Sequence, residues 1–247
     1  CALPICHNRC IFCWRDLDLD ETIEMPKQTD DPKTIIDKSI EQHRKLLEGL
    51  WGDDEANKKK LEEAMNPNQW AISLTGEPTL YPRLSELIKI LKERNNTVFV
   101  VSNGMEPQAL EKLEAPTQFY LSLDGPTKEI FNRVDIPKFE DGWERLMQSL
   151  DIMSKMKSRT ALRITAIKSQ NMSHPEKYAQ LIEKAKPSVV EIKAYMLVGA
   201  SRERLTKNHM PYHEEVKSFA QDIANHSNNY MLSEDKKESR VVLLERK

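Results

Sequence analysis

No apolar run in this 247-residue sequence approaches the ~18–20 residues that a membrane span needs, and no signal-peptide pattern is present. An excess of one charge is also missing, since 37 Lys and Arg stand against 39 Asp and Glu. That balance excludes a uniformly basic nucleic-acid binder and leaves room for a local basic face. Cysteine is scarce: Cys1, Cys6, Cys10 and Cys13 are all there is. A secreted disulfide domain of this size scatters its cysteines, so the cluster points instead to a reducing cytoplasm and a metal site. Glycine and proline are nowhere dense enough to mark a linker, and no internal repeat appears. The length suits one large α/β domain or two small ones. Because the chain begins at Cys1 without a methionine, an upstream piece is expected.

Five β-rich runs are present: QWAISLTG (69–76), TVFVVSNG (97–104), QFYLSLDG (118–125), TALRITAIK (160–168) and VVEIKAYML (189–197). Helical patterns separate most of them. Leu84, Leu87, Ile88 and Leu91 follow i, i+3, i+4, i+7, as do Trp143, Leu146, Met147 and Leu150. This alternation predicts a parallel sheet with crossover helices. A further run, RVVLLER (240–246), either closes the sheet or lies outside it, and SEDKKESR reads as a turn or flexible stretch. Residues 30–66 read as a highly charged helical insertion, residues 198–211 as a polar loop and 212–226 as a last helix. Residues 227–247 read as a C-terminal extension. Lys58, Lys59 and Lys60 in the insertion suit a solvated face, with RNA contact as the alternative.

The first three runs end on small polar residues: Thr75-Gly76-Glu77-Pro78, Ser102-Asn103-Gly104, and Ser122 to Asp124-Gly125. Ligands bind at the carboxyl ends of strands in parallel α/β folds, so three such endings in succession indicate a site rather than ordinary turns. In C-x₃-C-x₂-C, residues 6–13, a structural zinc needs a fourth ligand, from His7 or Cys1. His7 lies inside the loop, where reaching the same metal strains the chain; it reads as solvent-facing or as a supporting residue. A [4Fe–4S] cluster held by three cysteines keeps one iron open to chelate a substrate or cofactor, and the strand-end residues favour the cluster.

Cys6-x₃-Cys10-x₂-Cys13 followed by Gly76-Glu77-Pro78 at a strand end resembles the radical S-adenosylmethionine (SAM) superfamily. CIFCWR (10–15), ISLTGEPTLYP (72–82), FVVSNG (99–104), YLSLDGPTKE (120–129) and EIKAYMLVGASRERLT (191–206) are similar to the tRNA 4-demethylwyosine synthases of wybutosine biosynthesis, over about residues 6 to 226. The likeness is to the archaeal type, without a flavodoxin-like domain. It implies an α/β fold, an incomplete parallel TIM-like (β/α)₆ barrel with extra charged helices, formed by one radical SAM domain over 1–247. Its first strand would precede Cys6, in CALPI.

The resemblance implies a lyase-type enzyme that converts N1-methylguanosine at position 37 of tRNA-Phe, with pyruvate, into 4-demethylwyosine. Cys6, Cys10 and Cys13 would bind a [4Fe–4S] cluster whose open iron holds SAM. The SAM site would draw on Trp14, Gly76, Glu77 and Pro78, then on Ser102, Asn103, Ser122 and Asp124. A second [4Fe–4S] cluster is implied, its ligands mostly upstream and Cys1 the one candidate in this chain. An external electron donor and the tRNA-Phe anticodon arm are the partners, with no membrane.

A lysine forming a Schiff base with pyruvate is chemically reasonable, and Lys193 and Lys168 are the candidates. Glu191 and Lys193 share one strand face, so a structural Glu–Lys pair explains the same pattern. Arg202, Arg204 and Lys207 form a compact basic cluster after a strand end, suited to RNA phosphates or to no partner at all. Two other functions compete: a radical SAM enzyme acting on a peptide or protein, and a zinc-stabilised RNA-binding module without catalysis.

Overall fold

In a computed structural model, residues 5–17 and 28–247 are described. The strands are β1 (Gln69–Ile72), β2 (Thr97–Ser102), β3 (Gln118–Ser122), β4 (Arg159–Ala166), β5 (Val189–Ala194), β6 (Tyr230–Lys236) and β7 (Val241–Arg246). The helices are α1 (Pro32–Glu48), α2 (Lys58–Ala64), α3 (Leu84–Glu93), α4 (Pro107–Glu111), α5 (Lys128–Val134), α6 (Gly142–Met153), α7 (Pro175–Ala185) and α8 (His213–Asn225). They build an α/β fold around one mostly parallel sheet of order β1-β2-β3-β4-β5-β7-β6. β1 to β5 are parallel, whereas β7 runs antiparallel to both β5 and β6.

Alternation along the strands gives the sheet two unlike faces. Val98, Val100, Phe119, Leu121, Leu162, Ile164, Val190 and Ile192 are fully buried and share the main core with apolar residues of the helices. On the helix side, α3 contributes Leu84, Leu87, Ile88 and Leu91, and α6 contributes Leu146, Leu150 and Met153. The opposite face carries Tyr120, Ser122, Arg163, Thr165, Glu191 and Lys193, all half-buried. Across it Arg163 Nε meets Glu191 Oε1 at 3.3 Å, so the partner of Glu191 is Arg163, its register neighbour. That pairing replaces the expected structural pair of Glu191 with Lys193.

Each of the five expected strands is shorter at its C-terminal end, because the last two to four residues turn away from the ladder. RVVLLER joins the sheet as β7. The expected turn in SEDKKESR is half strand: β6 runs to Lys236, and only Lys237–Ser239 forms a short 3₁₀ turn. The charged segment forms α1 and α2, with Asp31 and Asn57 capping their N-termini. The run CALPI and Cys1 lie largely or wholly outside the described residues. Beside β1 the Glu77 N–H donates to the Ile5 carbonyl at 2.8 Å, so the chain entering the cysteine loop passes along the end of that strand.

The carboxyl ends of β3 and β4 are tied by Asn171, which is fully buried. Its amide donates to the carbonyls of Asp124 and Thr165, both at 2.8 Å, and its oxygen accepts the Ile167 N–H at 2.7 Å. Asn171→Ala leaves three backbone groups without partners. It is expected to cost about 2–4 kcal/mol in urea unfolding, with an unchanged midpoint refuting the assignment.

Candidate functional site

Residues 6–13 form neither helix nor strand, and several of their backbone groups are satisfied from elsewhere in the chain. Asn8 bridges Pro137. Arg9 N–H donates to the carbonyls of Asp135 and Ile136, Ile11 N–H to Val134, and Lys138 N–H to His7. The segment after α5 therefore lines one side of the loop like a short antiparallel partner. Ile11 and Phe12 pack on a small apolar cluster of Ile130, Val134, Ile167, Tyr195 and Leu205. From the far side Ala200 N–H donates to the Trp14 carbonyl at 2.8 Å. Gly199, at φ +55°, allows that approach, since a Cβ there would overlap the Trp14 oxygen.

No disulfide joins Cys6, Cys10 and Cys13. Burial, reinforced by Glu77, pushes the Cys6 thiol up to about 12. Cys10 is also raised well above the usual thiol range, by burial and then by Asp135, to whose Oδ1 its thiol donates at 3.2 Å. On their own these are inert protonated thiols; a bound metal is what makes such sulfurs anionic. Three free thiols within eight residues are the donor chemistry that a [4Fe–4S] cluster takes.

Glu77 lies buried beside Cys6 and gathers four donors. Its Oε1 accepts from Thr79 N–H (3.1 Å), Thr79 Oγ1 (2.7 Å) and Ser102 Oγ (2.8 Å), and its Oε2 accepts from Asn103 N–H (2.8 Å). Burial still holds its pKa above the usual carboxylate range. Asn103 in turn reaches Cys6 Sγ at 3.5 Å, and Gly104, at φ +78°, completes the turn. The endings of β1 and β2 and the first cysteine thus form one network, as the sequence reading groups them.

Other expected residues are placed differently. Asp124 is buried, its carboxylate raised by burial and accepting the Thr165 N–H at 2.6 Å, so it braces β4. Ser122 lies on the half-buried polar face beside Arg163. Trp14 is exposed on its side-chain side, held by its carbonyl. His7 is buried rather than solvent-facing: Nε2 contacts Glu106 Oε1 at 3.0 Å, and its ring tilts over Phe139. Burial, with Arg145 and Lys138 nearby, pulls it down to about 4, so a neutral imidazole donates to Glu106.

Lys193 lies on the polar face, level with Thr165. Lys168 is paired with Glu215. Arg202 and Lys207 are exposed on the 198–211 loop, but Arg204 is half-buried and turned onto the cysteine loop. That corrects its expected place in a basic surface cluster. Asp135 was not singled out from the sequence, because a lone carboxylate in NRVDIP carries no local signal for contact with a cysteine 125 residues away.

Glu77→Gln tests the network. Every partner of the carboxylate is a donor, so the glutamine NH₂ must face one of them. A loss of about 1–3 kcal/mol is expected in thermal unfolding of the metal-free protein; wild-type stability would remove Glu77 from its organising role.

A model of the radical SAM superfamily matches residues 2–182, and one for wyosine base formation matches residues 184–246. The chain is 45% identical to the S-adenosyl-L-methionine-dependent tRNA 4-demethylwyosine synthase of Pyrococcus abyssi, over 99% of this chain and 73% of that protein. It is 32% identical to the human enzyme TYW1, over 97% of this chain and 33% of that longer protein. A solved TYW1 carrying a lysine–pyruvate adduct superposes with a TM-score of 0.88 at 38% identity, covering 98% of this chain and 76% of that one. By fold, by its cysteine loop and by these relatives, the chain belongs to the radical SAM superfamily and, within it, to the tRNA 4-demethylwyosine synthase family.

Proposed function

We propose that the protein converts N1-methylguanosine at position 37 of tRNA-Phe, with pyruvate, into 4-demethylwyosine. One observation carries this reading: three thiols on a loop seated at the carboxyl ends of parallel strands, in a chain 45% identical to a 4-demethylwyosine synthase. Cys6, Cys10 and Cys13 would hold the [4Fe–4S] cluster. Gly76, Glu77 and Pro78 would hold the ligand's ammonium end on this reading, through backbone groups, since the Glu77 carboxylate is already surrounded by donors. Asn103, Ser122 and the exposed ring of Trp14 complete a SAM site on this reading, while Ser102 and Asp124 brace it. When bound, cluster and SAM together supply a carbon-centred radical able to take hydrogen from the N1-methyl group. The residues of the chain supply orientation and exclusion of water.

For pyruvate, Lys193 is the better of the two lysines. Glu191 is taken by Arg163 and Lys168 is held by Glu215, which leaves Lys193 as an amine on the polar face near the mouth. The relative that carries a lysine–pyruvate adduct supports this chemistry. The amine adds to the keto carbon, water leaves, and the protonated imine draws electrons from the neighbouring carboxylate carbon. Arg202 and Lys207 would contact phosphates of the anticodon arm, with the guanosine turned out of its stack. An external donor would provide the electron. A second cluster would take most of its ligands from upstream chain. No described helix is long and apolar enough to cross a membrane, and a tRNA substrate fits work in the cytoplasm.

Anaerobic protein loaded with iron and sulfide, given methylated tRNA-Phe, pyruvate, SAM and a reductant, is expected to release the tricyclic base. Loaded protein that cleaves SAM yet never alters this tRNA sinks the reading. Iron analysis of full-length protein in the same experiment is expected at about eight per chain, and about four would rule out the second cluster. Borohydride with labelled pyruvate is expected to mark Lys193; a label on another lysine, or none, refutes the assignment.

A further inference from the structure

The turn after β5 does more than display Arg202 and Lys207. We propose that Arg204 is a positioning residue for the cysteine loop, clamping its carbonyls and setting a fixed positive charge behind Cys13; the charge half of this rests on the cluster reading above. Arg204 Nε donates to the Ile11 carbonyl at 3.1 Å, and Nη2 donates to the carbonyls of Cys13 and, at 3.5 Å, Arg15. Ala200 N–H takes the Trp14 carbonyl from the same turn. Four carbonyls of residues 11–15 are therefore satisfied by residues 200–204, and within the loop Cys13 N–H donates to the Cys10 carbonyl. Nearly all order in this stretch is imposed from outside.

Arg204 is itself rigidly mounted. Its N–H donates to the Ser201 carbonyl at 3.1 Å, and Ser201, fully buried, links Tyr195 (2.8 Å) to the Val198 carbonyl (2.6 Å). Leu205 anchors the next position in the apolar cluster that also receives Ile11 and Phe12. Only a planar guanidinium can fork across carbonyls of this spread; a lysine supplies the charge without the fork. A cation one peptide from a ligating sulfur stabilises the more negative, reduced state of a cluster. The clamp also crosses the family boundary, since residues of the wyosine-specific region hold the loop of the radical SAM region.

The test compares Arg204→Gln and Arg204→Lys with wild type, using Arg94→Gln as a distant surface control. Two readouts are taken: hydrogen exchange in metal-free protein and the potential of the loaded cluster. In Arg204→Gln the Ile11 and Cys13 amides are expected to exchange at least about tenfold faster, with little change elsewhere, and the potential to become more negative. Arg204→Lys is expected to keep the fast exchange while its potential returns towards wild type. Wild-type exchange at residues 11–15 in both variants overturns the clamp, as does acceleration spread evenly over the chain. Equal potentials in Arg204→Gln and wild type overturn the charge. Should wild-type protein take up no iron, the cluster reading fails, and the exchange measurement still decides the clamp.

Discussion

A short loop that must present three half-buried cysteines cannot spend its own peptide groups on regular structure, so those groups have to be satisfied by others. Every distinctive feature of the site answers that constraint. The end of β1 pairs with the entering chain, the segment after α5 pairs with residues 7–11, and the turn after β5 takes the carbonyls of residues 11–15. Three segments distant in sequence thus share one function, and the parallel sheet is the device that brings their ends together. The cysteines depend on the sheet more than on their own neighbours.

Charge is distributed around the loop in the same way. On the side of α5 lie Asp135 and Asp124, both buried and both raised in pKa by that burial. His7 is neutral for the matching reason, a base driven down by burial and nearby cations. The one strongly cationic group aimed at the loop from the opposite side is Arg204 among the contacts described above. Such asymmetry suits a site where an anionic cluster and a cationic ligand have to meet in little water.

Much of this was legible in the sequence where the signal was local. Five β-rich runs gave the strands, periodicity gave α3 and α6, and the cysteine spacing with the polar strand ends marked the site. The strands were overrun at their carboxyl ends because turn residues such as Ser73 or Asp124 follow apolar runs without a break in composition. β6 escaped notice for a physical reason: an outer strand mostly open to solvent has no alternation to read, and Met231 to Lys236 are largely exposed. Arg204 looked like its neighbours Arg202 and Lys207, since a charge turned inward and one turned outward are the same letter. Only tertiary geometry separates them.

The separation along the chain between clamp and loop has a consequence for how the molecule comes into being. Arg204 lies 193 positions after Ile11 and 191 after Cys13. All three cysteines leave the ribosome early, long before the turn that completes their surroundings has been made. A nascent chain ending before residue 204 carries all three cysteines without the guanidinium that takes the carbonyls of Ile11 and Cys13. The surroundings of the cysteines are therefore complete only once β5 and the turn behind it have been made.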